Sequence, residues 1–384
     1  MRATLAARGL YHSRECKPNK SARTGTATGR NIDNERLNRY NAPMRISVIC
    51  TVLNEAAAVG RLLDGLLAQT RPPDEVVIVD GGSSDGTPAV ILSYADRLPL
   101  KLQEARGANI SRGRNLAVKR SSGDVIASTD AGVRLAPDWL ERLAAPFTNV
   151  PAEELREGKY AVAGFFQPDP RSAFELSLGA TTLPLVNDIN PSTFLPSSRS
   201  VAFSRGAFEC SGGYPEWLDY CEDLLFDFEL IDCGGGFAWA PEAVAHFQPR
   251  PTLGKFARQY YLYARGDGKA DLWRKRHLIR YLTYLVALPL LLALAVLHHP
   301  LWLVLLLAGA LAYCWRPVTR LRSQWAGYSV FQRLWAILLI PVIRITGDVA
   351  KMVGYPVGLR WRRANRARPE IHWRSKLDSG QRYG

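Results

Sequence analysis

Apolar positions change their period along the chain. Residues 46–54, ISVICTVLN, run almost without polar interruption, as a strand covered on both faces requires. From Glu55 to Gln69 the residues Val59, Leu62, Leu63, Leu66 and Leu67 fall at helical spacing, and Pro72 and Pro73 force an exit. EVVIVD at 75–80 predicts a second strand, 98–102 a short third, Ile110–Ser121 a helix, and DVIASTDAG at 124–132 a strand that carries Asp130 to its C-terminal end. This alternation predicts an α/β domain with a mostly parallel sheet, in which strand ends and their loops form the ligand crevice. Between 161 and 249 the pattern is less regular. A helix from Asp223 to Ile231, stopped by Gly234–Gly236 and followed by a strand at 237–240, still stands out.

The C-terminal third reads differently. Leu282–Leu297 is 16 residues without a charge, and with Tyr281 and His298 it spans roughly 27 Å at about 1.5 Å per residue. HHP follows, with His298 and His299 in a turn, and then a second apolar stretch at 301–315. The pattern predicts a transmembrane hairpin over 281–315. Arg274, Lys275, Arg276 and Arg280 precede it and Arg316, Arg320 and Arg322 follow it, so the positive-inside rule puts both ends, and the catalytic domain, in the cytoplasm of a multi-pass membrane protein. Phe331–Val353 contains LWAILLIPVI but also Arg333, Arg344, Asp348 and Lys351. It predicts an interfacial helix in preference to a third membrane helix.

The resulting divisions are a disordered leader at 1–43, a catalytic domain at 44–250, a membrane-proximal amphipathic region at 251–280, the hairpin at 281–315, and an interfacial or third membrane helix with a basic tail at 316–384. The leader lacks the apolar core of a cleavable signal, and Met44, just before the first strand, is an alternative start. Lys and Arg number 49 against 35 Asp and Glu, a formal charge of +14. Such a surplus suits nucleic acid or an anionic membrane; the hairpin decides for the membrane, and no nucleic-acid partner is expected. The six cysteines form no CxxC pair and no staple pattern, as a reducing compartment would have it. Cys50 and Cys314 read as buried small side chains.

Several polar groups sit where chemistry is done. Asp80, at a strand end before GGSS, either accepts hydrogen bonds from a nucleotide base or ribose, or caps its turn. Asp85 before Gly86 reads as a backbone cap. Arg106, Arg112 and Arg114 suit a diphosphate, with Asn115 adding directional hydrogen bonds, or form a solvated helix face. Asp130 suits a divalent cation, magnesium or manganese, or a ribose, with His246 as a further ligand of that metal or else a core or surface histidine. Glu222 and Asp223 provide a base and an orienting carboxylate, or a helix N-terminus. Ser197, Ser198 and Arg199 suit sugar hydroxyls or phosphate, and Gln259, Tyr260, Tyr261 and Tyr263 an acceptor channel or an interfacial helix.

Taken in order, TVLNEAAAVGRLLDGLLAQT, DEVVIVDGGSSDGT, GRNLAVKRSSGDVIASTDAG and GYPEWLDYCEDLLFDFEL resemble the nucleotide-diphosphate-sugar glycosyltransferases of family 2, over roughly residues 45–250. RQYYLYARGDGK resembles the segment after the catalytic domain in membrane-attached members. The resemblance implies a glycosyltransferase-A type nucleotide-sugar-binding domain followed by the membrane helices. It implies donor contacts from Asn54 and Glu55 in the first loop, from Asp80 to base or ribose, and from Arg112, Arg114 and Asn115 to phosphate. Asp130 matches the first acidic position of the D-x-D metal motif, but Gly132 replaces the second. Asp223 matches the catalytic base of the E-D motif, with Glu222 orienting it. The implied reaction is inverting transfer from a nucleoside-diphosphate sugar to a hydroxyl of a lipid-linked or glycan acceptor at the cytoplasmic membrane face. The chain departs from the Q-x-x-R-W motif of processive synthases, which disfavours polymer synthesis. A membrane-attached nucleotidyltransferase and a noncatalytic sugar-binding scaffold are the alternatives, and the sugar, the acceptor and the oligomeric state stay open.

Overall fold

A computed structural model of the chain describes residues 44–234 and 236–374. The expected leader at 1–43 and the end of the basic tail lie outside the described residues. The first half alternates β1 (Ile46–Val52), α1 (Ala56–Leu67), β2 (Glu75–Asp80), α2 (Thr87–Leu92), β3 (Leu100–Glu104), α3 (Ile110–Arg120), β4 (Val125–Ser128), β5 (Val133–Leu135) and α4 (Trp139–Ala144). After it come α5 (Ala152–Glu157), β6 (Ala161–Pro168), α6 (Ala173–Thr182), β7 (Val201–Ser204), α7 (Arg205–Ser211), α8 (Glu222–Gly234) and β8 (Ala238–Phe247).

The strands form one sheet in the order β3-β2-β1-β4-β7-β6-β8-β5. β3, β2, β1 and β4 are parallel, while β7 runs antiparallel to both β4 and β6. The apolar run of β1 has a direct cause. Ile46, Val48, Cys50 and Val52 face a core with α1 and α4, whereas Ile49 faces a second core with α3, α7 and α8. A strand between two helical layers needs apolar side chains at both parities. The fourth strand ends at Ser128, sooner than its sequence suggests, so Asp130 stands in the loop beyond the sheet. The return strand β8 is longer than expected and takes Pro241 into its interior, alongside a β6 register shift at Ala163/Phe165.

The cysteine expectation is corrected in one respect. Cys210 on α7 and Cys233 on α8 form a disulfide with their Cα atoms 6.0 Å apart. A separation of 23 residues carries no local signal of that pairing. Cys50 and Cys221 are buried free thiols.

Beyond the sheet lie α9 (Leu253–Ala270), α10 (Arg274–Leu282), a π turn at Thr283–Ala287, α11 (Leu288–Leu297), α12 (Trp302–Gln324) and α13 (Val330–Ala364). Two helices, Arg274–Leu297 and Trp302–Gln324, are long and apolar enough to cross a membrane. At 24 and 23 residues they measure about 36 and 34 Å at a rise of about 1.5 Å per residue. Leu285, Leu290, Leu292, Leu303, Leu305, Leu307 and Leu311 lie exposed on them. In water each would forgo about 1.5–3 kcal/mol of burial, which a hydrocarbon environment supplies.

α13 passes through Pro341 and Pro356 and is far longer than the stretch its apolar core marks. Phe331, Leu334, Trp335, Leu338, Val342, Ile345, Val349, Val353 and Val357 form one exposed stripe on it, the pattern of a helix lying in an interface. The opposite face meets α9 backbone to backbone. A Cβ at Gly354 would run into the Tyr261 carbonyl oxygen, one at Gly358 into that of Arg265, and one at Gly268 would stand 2.8 Å from Leu359 N.

That contact makes a prediction. Gly354→Ala forces α9 and α13 apart and lowers stability by about 1–3 kcal/mol, as overpacking does, whereas Gly309→Ala, with nothing within 4 Å of its new methyl, is neutral or slightly stabilising. Thermal unfolding of both variants in detergent checks the contrast.

Candidate active site

Gly113, Arg114 and Asn115 are consecutive on α3, and each has a separate physical role. A Cβ at Gly113 would stand 2.6 Å from Thr51 Cγ2, so glycine is what lets the helix lie this close to β1. The Asn115 amide clamps the loop at 214–216. It donates to Tyr214 O at 2.9 Å and Glu216 Oε1 at 3.0 Å, and accepts from Tyr214 N at 2.8 Å. Tyr214 thereby lies beneath the Arg114 guanidinium, 5.1 Å from ring centroid to Cζ.

Arg114 is 3% exposed. It donates from Nη2 to Asp130 Oδ1 at 3.0 Å and from Nη1 to Glu222 Oε1 at 2.8 Å. A second guanidinium, Arg199, brings Nε to 3.3 Å from Asp130 Oδ2. The loop after β4 and the start of α8 therefore meet at one buried cation, and the loop before β7 joins them through Asp130. α8 itself starts from Cys221, whose φ of 66° is rare for a residue with a side chain. The Cys221 thiol donates to Tyr263 O at 3.3 Å, tying this strained residue to α9.

The acids of this cluster are driven in opposite directions. Burial, and after it the charge of Asp223, pushes Glu222 up to about 7 although Arg114 pulls the other way. Asp223 is also raised, burial outweighing Arg114 and Arg199. Burial acts on Asp130 too, but Arg199 and Arg114 together hold it below the usual carboxylate range. One turn beyond Asp223, buried Asp227 is pushed far up by desolvation and by Asp223, and its Oδ2 has no partner. Such a site holds one firmly ionised carboxylate beside a pair that keeps its protons above the usual carboxylate range.

These groups line a cleft of about 1100 Å³, together with Glu55, Tyr263 and Arg250. Of the residues singled out from sequence, Glu55, Arg114, Asp130, Ser197, Arg199, Glu222, Asp223, Gln259, Tyr260 and Tyr263 come together there. The others are elsewhere. Asp80 Oδ1 accepts from Gly82 N, Ser83 N and Ser83 Oγ, so the carboxylate holds its own turn. Asn54, at φ 56°, bridges to that turn by accepting from Ser84 N at 2.9 Å, and Asp85 caps Ala56 N and Thr87 N as expected. Arg112 is exposed outside the cleft lining, and Asn115 is engaged by the 214–216 loop.

The metal pair expected from sequence is not assembled. His246 on β8 stands opposite Arg134 on β5, where Arg134 is exposed and paired with Asp169; the neighbouring Phe247, of opposite parity, is the one that lines the cleft. Burial and Arg134 depress the basicity of His246. Both Asp130 oxygens face guanidinium groups, Gly132 contributes no side chain, and no group of three or more His, Cys, Asp or Glu is placed to hold a metal among the described residues. The side chains present thus do not fit a protein-held divalent cation. Tyr214, Glu216 and Asp227 were missed from sequence; only the E-D-x-x-x-D spacing hinted at the last.

Comparison with known proteins follows this geometry. The sequence pattern of Glycosyl transferase family 2 matches residues 47–153. Glycosyltransferase AglE of Haloferax volcanii is 25% identical over 242 residues, covering 59% of this chain and 74% of that protein. Validoxylamine A glucosyltransferase of Streptomyces hygroscopicus is 36% identical over 104 residues, 26% of this chain and only 23% of that relative's length. In fold, the chain is similar to the mannosyltransferase PcManGT of Pyrobaculum calidifontis, solved with GDP-Man and Mn2+. The TM-score is 0.56 at 20% identity, over 84% of this chain and 94% of that one.

Arg114 is the test of the cluster. Arg114→Met leaves Glu222 without its cation and Asp130 with Arg199 alone, and costs about 3–5 kcal/mol, the usual penalty for breaking a buried ion pair. The loss is smaller below about pH 5, where carboxylates without a cation take up protons. Denaturant unfolding at two pH values reads both effects.

Proposed function

We propose that the chain is a family 2 glycosyltransferase using a nucleotide-sugar donor and that it catalyses inverting transfer to a hydroxyl of a membrane-borne, lipid-linked acceptor at the cytoplasmic face. The single observation behind this reading is the extent of the cleft. It runs from Glu55 and Asp130, past Glu222 and Asp223, to Arg276 and Lys351 beside the first long apolar helix.

In this mechanism the donor lies toward Glu55 and Asp130. Arg250, near enough to Glu55 to pull its proton affinity down against burial, faces the diphosphate. Asp223 takes the proton of the acceptor hydroxyl as that oxygen attacks the anomeric carbon from the side opposite the leaving nucleoside diphosphate. Among the described residues its Oδ1 accepts only from Leu224 N, at 3.0 Å, so it retains lone pairs for a substrate. Glu222 is held by Arg114 and orients the pair. No step is routed through a metal, in keeping with the side chains present.

The basic flanks at 274–280 and 316–322 support a cytoplasmic catalytic domain. The archaeal and Streptomyces relatives carry the names of glycosyl- and glucosyltransferases, which favours sugar transfer over nucleotidyl transfer.

Two outcomes are expected. Asp223→Asn keeps fold and donor binding but slows transfer by about 100-fold or more, the scale of general base assistance; near-normal turnover by the folded variant defeats the assignment. Because burial holds Asp223 above the usual carboxylate range and the base must be ionised, wild-type transfer rises with pH along a limb displaced upward from that of an ordinary carboxylate. For topology, impermeant labelling of cysteines introduced at Arg274 and Arg320 in sealed vesicles should mark both positions from the same, cytoplasmic side. Labelling from opposite sides rejects the hairpin.

A further inference from the structure

The far end of the cleft is built differently from its middle. There its walls are Tyr260 and Asp267 on α9, Arg276, His277 and Arg280 on α10, and Lys351 on α13. Most of these charges are satisfied internally. Asp267 Oδ2 meets His277 Nε2 at 3.0 Å, and its Oδ1 accepts from the Cys221 thiol at 3.5 Å. Arg280 Nε donates to Asp348 Oδ1 at 2.7 Å, and the hydroxyls of Tyr284 and Tyr313 both donate to Asp348 Oδ2.

The nearby carboxylates are thus engaged, and two cations are left over. Lys351, one turn beyond Asp348, places Nζ 4.6 Å from the Tyr260 ring centroid and has no ion pair or hydrogen bond among the described residues. Arg276 lies over the Trp273 ring at 4.2 Å, likewise with no acidic partner among the described residues. Lys351 feels Asp348 and Asp267 beyond ion-pair distance and Arg276 is exposed; an ammonium and a guanidinium lining one cavity without a direct acidic partner among the described residues suit an anion. Their level in the molecule says which kind. Arg276 sits in the first turn of the helix Arg274–Leu297, whose exposed Leu278, Ile279, Leu282 and Leu285 begin immediately afterwards. A basic turn followed by exposed apolar side chains marks the headgroup level of a bilayer.

We propose that Arg276 and Lys351 bind the phosphate or diphosphate of the acceptor lipid, holding its hydrocarbon against the exposed face of the first membrane helix and its sugar or hydroxyl toward Asp223. This rests on the lipid-acceptor reading above and adds the class of the lipid, one headed by phosphate rather than a neutral glycolipid.

The test uses full-length protein in neutral detergent micelles and measures binding of geranylgeranyl diphosphate, geranylgeraniol, inorganic pyrophosphate and a nucleoside diphosphate to wild type, Lys351→Gln, Lys351→Arg and Arg276→Gln. The isoprenoid diphosphate should bind at least about tenfold more tightly than either the alcohol or pyrophosphate, Lys351→Gln and Arg276→Gln should each lose about tenfold, and Lys351→Arg should restore most of it, as truncating one partner of a close charge pair predicts. Nucleoside diphosphate binding should not change. Equal loss of nucleotide binding would assign these cations to the donor, and an alcohol binding as well as its diphosphate would reduce the pocket to a hydrocarbon groove; either overturns the proposal. Sugar transfer to a native membrane lipid that is indifferent to both neutralising variants also overturns it while leaving the lipid-acceptor reading intact, whereas transfer only to soluble glycans removes that reading itself.

Discussion

A guanidinium cannot give up its proton inside a protein, so the buried Arg114 has to be met by anions wherever the chain places it. It is met by Asp130 from one loop and Glu222 from the start of α8, and this single requirement fixes the distance between the two halves of the cleft. It also sets their chemistry. One cation beside three acids cannot neutralise them all, so the acid that shares a second guanidinium, Asp130, stays ionised, and the pair left with less compensation, Glu222 and Asp223, holds its protons more tightly. The same arginine that assembles the site therefore divides its carboxylates into a fixed charge and a proton acceptor.

The membrane-side helices share that frame. α9 presses onto the loop before α8 through Gly266, where a Cβ would stand 2.6 Å from Tyr220 O, and its Tyr263 carbonyl accepts from the thiol of Cys221. On its other side α9 meets α13 through Gly268, Gly354 and Gly358. Close backbone approach at both contacts leaves little room for sliding. The position of Asp223 and the position of the apolar helices are thus linked through one helix, and a substrate anchored among the latter is presented to the former at a set height.

Much of this was legible in the sequence, for reasons that can be named. The two-sided burial of β1 leaves an unbroken apolar run, α1 and α3 show their period, and Glu222-Asp223 stands out because two acids beside a helix start are conspicuous. What was not legible depends on geometry that one-dimensional spacing does not carry. Asp80 and Asn115 have the composition of ligand contacts, but their oxygens and nitrogens are taken by backbone groups at 82–83 and 214. His246 was a plausible ligand until strand parity turned it to the Arg134 side. The reach of α13 through Pro341 and Pro356 was hidden because proline ordinarily ends a helix, while here packing on α9 carries the helix past both. The Cys210–Cys233 pairing joins α7 to α8, two helices whose packing the sequence pattern does not announce.

Charge is sorted along the cleft, and the sorting bears on how two substrates can meet in it. The middle holds carboxylates tied to Arg114 and Arg199, and there the net charge is near balance or negative. Cations without a close ion pair among the described residues lie away from that middle, Arg250 in the neighbourhood of Glu55 and Arg276 with Lys351 by the membrane helices. A substrate carrying phosphate is drawn to a cation and repelled from the acids, so each of two phosphate-bearing substrates settles with its charged end outward and its uncharged sugar or hydroxyl inward. The inward ends then face each other beside Asp223, which is where a bond between an anomeric carbon and a hydroxyl oxygen must form. With the acids reversed to the ends and the cations gathered in the middle, both phosphates would compete for one place. On the reading proposed above, this arrangement would admit the two substrates from opposite ends, in keeping with the alignment that an in-line displacement demands.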